Sequence, residues 1–214
     1  HDRFFAALVA DGVLVRIPGK SHRLALAGST MTVDSIAFGG IEDPAGTVTM
    51  PPDFDHRMTV TGFDDVARCA LELEVGEGIT VPVASICGLA ILKLLAWNDR
   101  GARTRKDATD IAFILRHYGH PVMSARLYGE SSALLEAEDY ETTFAGARLL
   151  GRDMAEVMSR ATAAWVETIL EQELGEPSGG KLARAMTGID LDGTEFERSL
   201  ALLARVLAGI RDSR

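Results

Sequence analysis

Apolar and polar positions follow each other in short alternating runs up to about residue 85, and from there take up a helical repeat that continues to the C-terminal end. Val13–Ile17, Arg23–Ala27 and Thr30–Phe38 alternate as strands, with Pro18-Gly19 and Gly28-Ser29 between them. Thr47–Met50 and Met58–Val60 add two short strands on either side of Pro51-Pro52, and Leu71–Val75 and Ile79–Val83 two more around Gly76-Glu-Gly78. Residues 1–11 read as a helix closed by Gly12, with Phe4, Phe5, Leu8 and Val9 on its apolar side. No cap precedes it, so the helix is read as already under way at His1 and a further segment is expected upstream. Phe63–Cys69 is predicted as a short helix with Asp64 and Asp65 in its first turn. Beyond Ser85, helices are predicted over Ile86–Asn98, Lys106–Tyr118, Ser131–Glu138, Tyr140–Leu149, Asp153–Leu174 and Glu195–Ile210, with Pro177-Ser-Gly-Gly180 as the clearest linker. This is an α+β pattern, with a mixed sheet and flanking helices over 1–85 and an all-helical part over 86–214.

The run Ile79–Trp97 is long and apolar enough to raise the question of a membrane span. Lys93 lies inside it, and Pro82, Ser85 and Gly88 interrupt it, so a strand, a turn and a buried helix fit better, and no membrane partner is expected. With 47% hydrophobic and 25% charged residues the composition is that of an ordinary globular protein. A net charge of −9 argues against a general basic surface for nucleic acid, though not against a local cationic pocket. Cys69 and Cys87 have neither metal-ligand spacing nor a disulfide framework, which with the lack of a secretory signal points to a reducing cytoplasm.

The candidate chemistry follows the apolar run. Lys93 and Arg100 are seven apart, so one helical face presents both, and Asp107 and Asp110, three apart, share a face of the next helix, which begins at Lys106. A lysine on an apolar helix needs an anion or water. Two readings fit: the cations bind phosphates, or they pair with the carboxylates and pin two helices together. Asp34, within Met31-Thr-Val-Asp-Ser-Ile-Ala-Phe38, is a lone carboxylate in a strand-like run. It suits a magnesium ion, which takes oxygen ligands, and equally a hydrogen-bonded strand-edge aspartate.

Taken in order, Val33-Asp34 with Phe38-Gly39-Gly40-Ile41-Glu42, then Lys93 and Arg100, then Lys106-Asp107 and Asp110, give a sequence that resembles the nucleotidyltransferase superfamily, specifically its AbiEii-type or minimal-nucleotidyltransferase-like proteins. The resemblance covers about residues 1–120, and Tyr140–Asp153 is similar to the family's helical tail. It implies a nucleotidyltransferase-like sheet and metal-assisted transfer of a nucleotidyl group from a nucleoside triphosphate to a hydroxyl acceptor, which could be a tRNA, a protein or a small molecule. In that scheme Asp34 is the third carboxylate and a magnesium ligand, Lys93 and Arg100 bind the nucleotide's phosphates, Asp110 is catalytic in orienting Lys93 or the attacking group, and Asp107 and Lys106 support them.

The sequence also departs from the family's pattern. No Gly-rich motif with an Asp-x-Asp pair precedes Asp34; Asp53-Phe-Asp55 comes too late, and Asp190-Leu-Asp192 later still. An enzyme with those motifs upstream of His1, a catalytically silent homologue that binds a nucleotide or a cognate partner protein in a toxin–antitoxin pair, and a structural α+β protein are therefore all compatible with the chain. Outside this constellation, His22-Arg23 reads as a solvated turn. His117-Tyr-Gly-His120 reads as a helix end with histidines near the negative pole of the helix dipole, without a third metal ligand.

Overall fold

A computed structural model describes residues 2–50, 56–101, 103–175, 180–188 and 193–213. Asp53, Asp55, Asp190, Asp192 and most of the expected linker at 177–180 lie outside the described residues. The described chain forms two compact units, 1–64 and 65–214, a division that falls twenty residues before the change from strand to helix character.

The first unit opens with α1 (Asp2–Ala10). A three-stranded antiparallel sheet follows, β1 (Leu14–Ile17), β2 (Lys20–Leu26) and β3 (Thr32–Asp34), in the order β1-β2-β3. β4 (Thr47–Met50) and β5 (His56–Thr59) pair antiparallel as a second sheet. Val48, Met50 and Val60 are buried in a small core, with Ile36, Met58 and Phe63 packed on it. That core explains why β3 is shorter than its predicted run to Phe38. The last paired rung joins Arg23 to Asp34, after which Ile36 joins the core and the Phe38 ring meets Phe63 edge to face at 5.6 Å. Asp34 thus ends its strand instead of occupying its middle. The loop beyond is knitted by Glu42, whose carboxylate accepts the N–H of Gly39 at 2.9 Å and of Gly46 at 2.7 Å.

α2 (Phe63–Arg68) leads into the second unit, where β6 (Leu71–Gly76) and β7 (Ile79–Val83) form a third antiparallel pair. The expected α+β class holds, and among the described residues its strands lie in three small antiparallel sheets in place of one mixed sheet. The helices are α3 (Ile86–Arg100), α4 (Lys106–His117), α5 (Ser124–Tyr128), α6 (Ser132–Ala137), α7 (Thr142–Val157), α8 (Arg160–Leu174), α9 (Lys181–Met186) and α10 (Thr194–Asp212). Between α4 and α5 the chain widens into a π-type turn over Tyr118–Val122, with His120 extended at φ −158° and ψ 127°. Among the described residues no helix is long and apolar enough to cross a membrane.

Ile91 and Leu94 of α3, Ile111 and Leu115 of α4, Leu150 of α7 and Leu203 of α10 meet in one continuous core. Each fully buried side chain of this size contributes about 1.5–3 kcal/mol relative to exposure. The break predicted between the helices at 140–149 and 153–174 moves. Gly151 lies within α7 and faces α10 closely: a Cβ there would lie 3.0 Å from Gly209 Cα and nearer still to the Val206 carbonyl oxygen. The break falls at Ser159, whose Oγ caps α8 by accepting the Thr162 N–H at 3.3 Å. The short helices α5 and α9 carry too little repeat to be predicted.

Candidate functional site

The site is built on α3 and α4. Ser85 starts α3 by accepting the Gly88 N–H at 3.2 Å, and the helix continues past its predicted end at Asn98 to Arg100. That extra length keeps Lys93 and Arg100 on one face. The face is turned to α4, where Asp107 sits in the first turn with no exposed side-chain surface. An acidic group is favoured there by the helix dipole.

Asp107 gathers both cations. Arg100 donates from Nε to Oδ2 at 2.7 Å and from Nη2 to Oδ1 at 2.9 Å, and Lys93 Nζ donates to Oδ1 at 3.2 Å. Asp110, 39% exposed, closes the group with Oδ2 at 2.5 Å from Lys93 Nζ. Burial pushes the Asp107 carboxyl up, but the hydrogen bonds from Arg100 and Lys93 outweigh it and hold it below the ordinary aspartate range. Lys93 mirrors this: burial lowers its proton affinity, while hydrogen bonds to Asp110 and Asp107 hold the ammonium above the usual lysine value. The hydrogen bond to Asp107 likewise raises Arg100. Asp107 thus keeps its charge beside the two cations, with the Arg100 side chain 52% exposed and that of Lys93 23%. Lys106 starts α4 with an exposed side chain that enters no ion pair among the described residues.

Asp34 belongs to the first unit and Lys93, Arg100, Asp107 and Asp110 to the second. Asp34 is held by the opposite strand residue, with Arg23 Nε on Oδ1 at 2.5 Å and Nη2 on Oδ2 at 2.6 Å. His117 is used locally: its Nδ1 lies 2.8 Å from the Phe113 carbonyl oxygen and its ring stacks on Phe113. Among the described residues no three His, Cys, Asp or Glu side chains stand close enough to hold a metal ion. With Asp34 on Arg23, Asp107 on two cations and Asp110 on Lys93, this donor set does not fit a resident magnesium ion.

Residues 3–199 match the model of the family described as "Nucleotidyl transferase AbiEii toxin, Type IV TA system". The chain belongs to the AbiEii family. AbiEii membership extends the likeness well beyond the stretch that carried the resemblance, through α7, α8 and α9 and into α10. It brings with it a nucleotidyltransferase-like character of toxin–antitoxin type. The comparison with curated proteins found no match, and the comparison with solved structures found none.

Two groups around the AbiEii helices were not visible in the sequence. Arg105, just before α4, donates from Nη2 to the carbonyl oxygens of Ala185 at 3.1 Å and Thr187 at 2.6 Å, closing the end of α9. Those partners lie some eighty positions away, and no local pattern marks them. Behind α4, Tyr118 donates its hydroxyl to Asp153, and Arg126 grips the same carboxylate from Nη1 at 2.7 Å and Nη2 at 3.0 Å. Burial and the hydrogen bond to Asp153 both keep the Tyr118 hydroxyl protonated far beyond its usual range. The network fixes the π-type turn that ends α4.

Proposed function

We propose that this chain uses Lys93 and Arg100 to bind the phosphates of a nucleoside triphosphate for transfer of the nucleotidyl group to a hydroxyl acceptor. One observation carries the reading. Arg100 is locked in place by a buried carboxylate through Nε and one Nη2 hydrogen, while half its side chain stays exposed. A guanidinium has five N–H donors, so the fork leaves three for an anion. Lys93 is oriented in the same way by Asp107 and Asp110. Binding groups held before the substrate arrives lose little entropy on binding it.

In the reaction, the acceptor oxygen bonds to the α-phosphorus, the bond to pyrophosphate breaks, and the acceptor's proton leaves to a base. Lys93 and Arg100 counter the charge growing on the pyrophosphate, and Asp110 keeps Lys93 aimed. Asp34, held by Arg23, takes no step in this reading, and its expected place as the third carboxylate comes from the family resemblance. Magnesium enters this reading from the family resemblance alone, as do the acceptor classes, tRNA, protein or small molecule, and a cognate antitoxin as partner. The free cysteines Cys69 and Cys87 suit a reducing cytoplasm.

A second reading, a silent nucleotide- or partner-binding homologue, is favoured by the balance of charge, since both cations already have carboxylate partners. Calorimetric titration of the four nucleoside triphosphates, with and without magnesium, into the chain and its Lys93→Ala variant tests the site. Binding that Lys93→Ala abolishes while the variant stays folded supports it, and turnover to pyrophosphate then separates enzyme from silent homologue. Unchanged binding in Lys93→Ala, or none in the parent chain, sinks the phosphate site.

A further inference from the structure

The hairpin of β6 and β7 stands outside everything described so far. Residues 71–80 are all exposed, including Val75 at 62% and Ile79 at 59%, and among the described residues the two strands pair only with each other. A two-stranded hairpin with no further strand or helix on it is marginal in water. Its rungs are Leu71 with Val83, Glu72 with Pro82, Leu73 with Val81 and Glu74 with Thr80, so leucine and valine share one face and the glutamates stand on the other.

The two outer edges differ. Pro82 has no N–H, so its rung with Glu72 is one in which main-chain groups point away from the neighbouring strand. The outer edge of β7 therefore lacks a donor at Pro82. On β6, Glu72 and Glu74 have the same parity and turn both N–H and C=O to the open side. That edge is complete, and it is acidic: the hairpin carries Glu72, Glu74 and Glu77, with no Lys, Arg or His between Arg68 and Lys93.

We propose that the open edge of β6 takes up an extended strand of a partner protein in which basic and apolar residues alternate. Main-chain hydrogen bonds supply the pairing, basic side chains meet Glu72 and Glu74, and apolar ones extend the Leu71 and Leu73 face. A second copy of this chain is disfavoured as occupant, because an added β6 would bring further glutamates against Glu72 and Glu74. The proposal rests on the hairpin alone and is independent of the phosphate reading.

The test uses three capped peptides, one of repeated Lys-Val, one of repeated Glu-Val, and the Lys-Val peptide with alternate backbone nitrogens methylated. Binding is followed by calorimetry and by amide hydrogen exchange at Glu72 and Glu74. The Lys-Val peptide is expected to bind and to slow exchange at both amides. The methylated and Glu-Val peptides are expected to bind about tenfold more weakly or less, the latter through reversed cross-strand charge. The double variant E72K/E74K, its fold checked by circular dichroism, should reverse the preference. Equal binding of the methylated peptide would overturn the proposal, because attraction to an acidic protein needs no strand pairing. Slow exchange at Glu72 and Glu74 without peptide would overturn it too, since the edge would then already be covered.

Discussion

Asp107 holds Arg100 by a two-point fork, Nε to Oδ2 at 2.7 Å and Nη2 to Oδ1 at 2.9 Å, across the turn between α3 and α4. The acid is wholly buried and the base half exposed, so one end of the pair is fixed by packing and the other faces water. This inequality lets a single ion pair serve both as a pin between helices and as a mount for a cation.

Asp107→Asn keeps the shape and removes the charge. It leaves Lys93 and Arg100 with a weaker acceptor, but both reach solvent, so the loss stays short of that for a fully buried pair. We expect a destabilisation of about 1–3 kcal/mol, read as a lower denaturant midpoint at unchanged slope. A change below the error of the midpoint would mean the buried carboxylate adds nothing to stability.

Tyr118→Phe removes the hydroxyl that Asp153 accepts and leaves the two bonds from Arg126 in place. The expected cost is about 1 kcal/mol, because the carboxylate keeps charged partners. Nucleotide titration of the same variant should match the parent chain. Weaker nucleotide binding would show that the turn after α4 reaches the Lys93 cluster.

Much of the α3–α4 arrangement was legible in the sequence. Lys93 and Arg100 were placed on one face by their spacing alone, and α3 continuing to Arg100 gives that face. Which of Asp107 and Asp110 is buried was not legible, because the phase of α4 is set by the apolar positions it presents to α3. The partner of Asp34 was not either: Arg23, eleven positions before it, comes opposite only through the β2–β3 register. Arg105 and Arg126 find acceptors on distant elements that no local repeat announces. How the strands are shared among three small sheets depends on pairings that alternation cannot specify.

Gly209→Ala should be among the costliest small substitutions. Its Cβ would meet the backbone of α7, at 3.0 Å from Arg152 N and closer to the Arg148 carbonyl oxygen, and backbone cannot move aside as a side chain can. A loss of about 1–3 kcal/mol is expected from forcing α7 and α10 apart. Gly188→Ala, where a Cβ meets nothing within 4 Å, is the control and should stay within about 0.5 kcal/mol of the parent. Equal effects at the two positions would remove the close approach of α7 and α10 as the cause.

The pH dependence of the cluster follows from the directions of its shifts. Asp107 is held below the ordinary range in the folded chain, against burial, by Arg100 and Lys93. Its stabilisation is therefore complete above the unfolded value of about 4 and is lost as pH falls through the lower folded value. Lys93 is raised despite its burial, so its share is complete below about 10.4 and is lost as pH rises through the higher folded value. Asp65 and Asp212 are also lowered, and acid unfolding of the parent chain mixes all of them. Subtracting the Asp107→Asn curve isolates one. The difference in urea midpoint between parent and variant should be flat from about pH 5 to 9 and shrink below about pH 4. A difference that grows on acidification would mean that Asp107 binds protons more readily folded than unfolded, with burial outweighing its cationic partners.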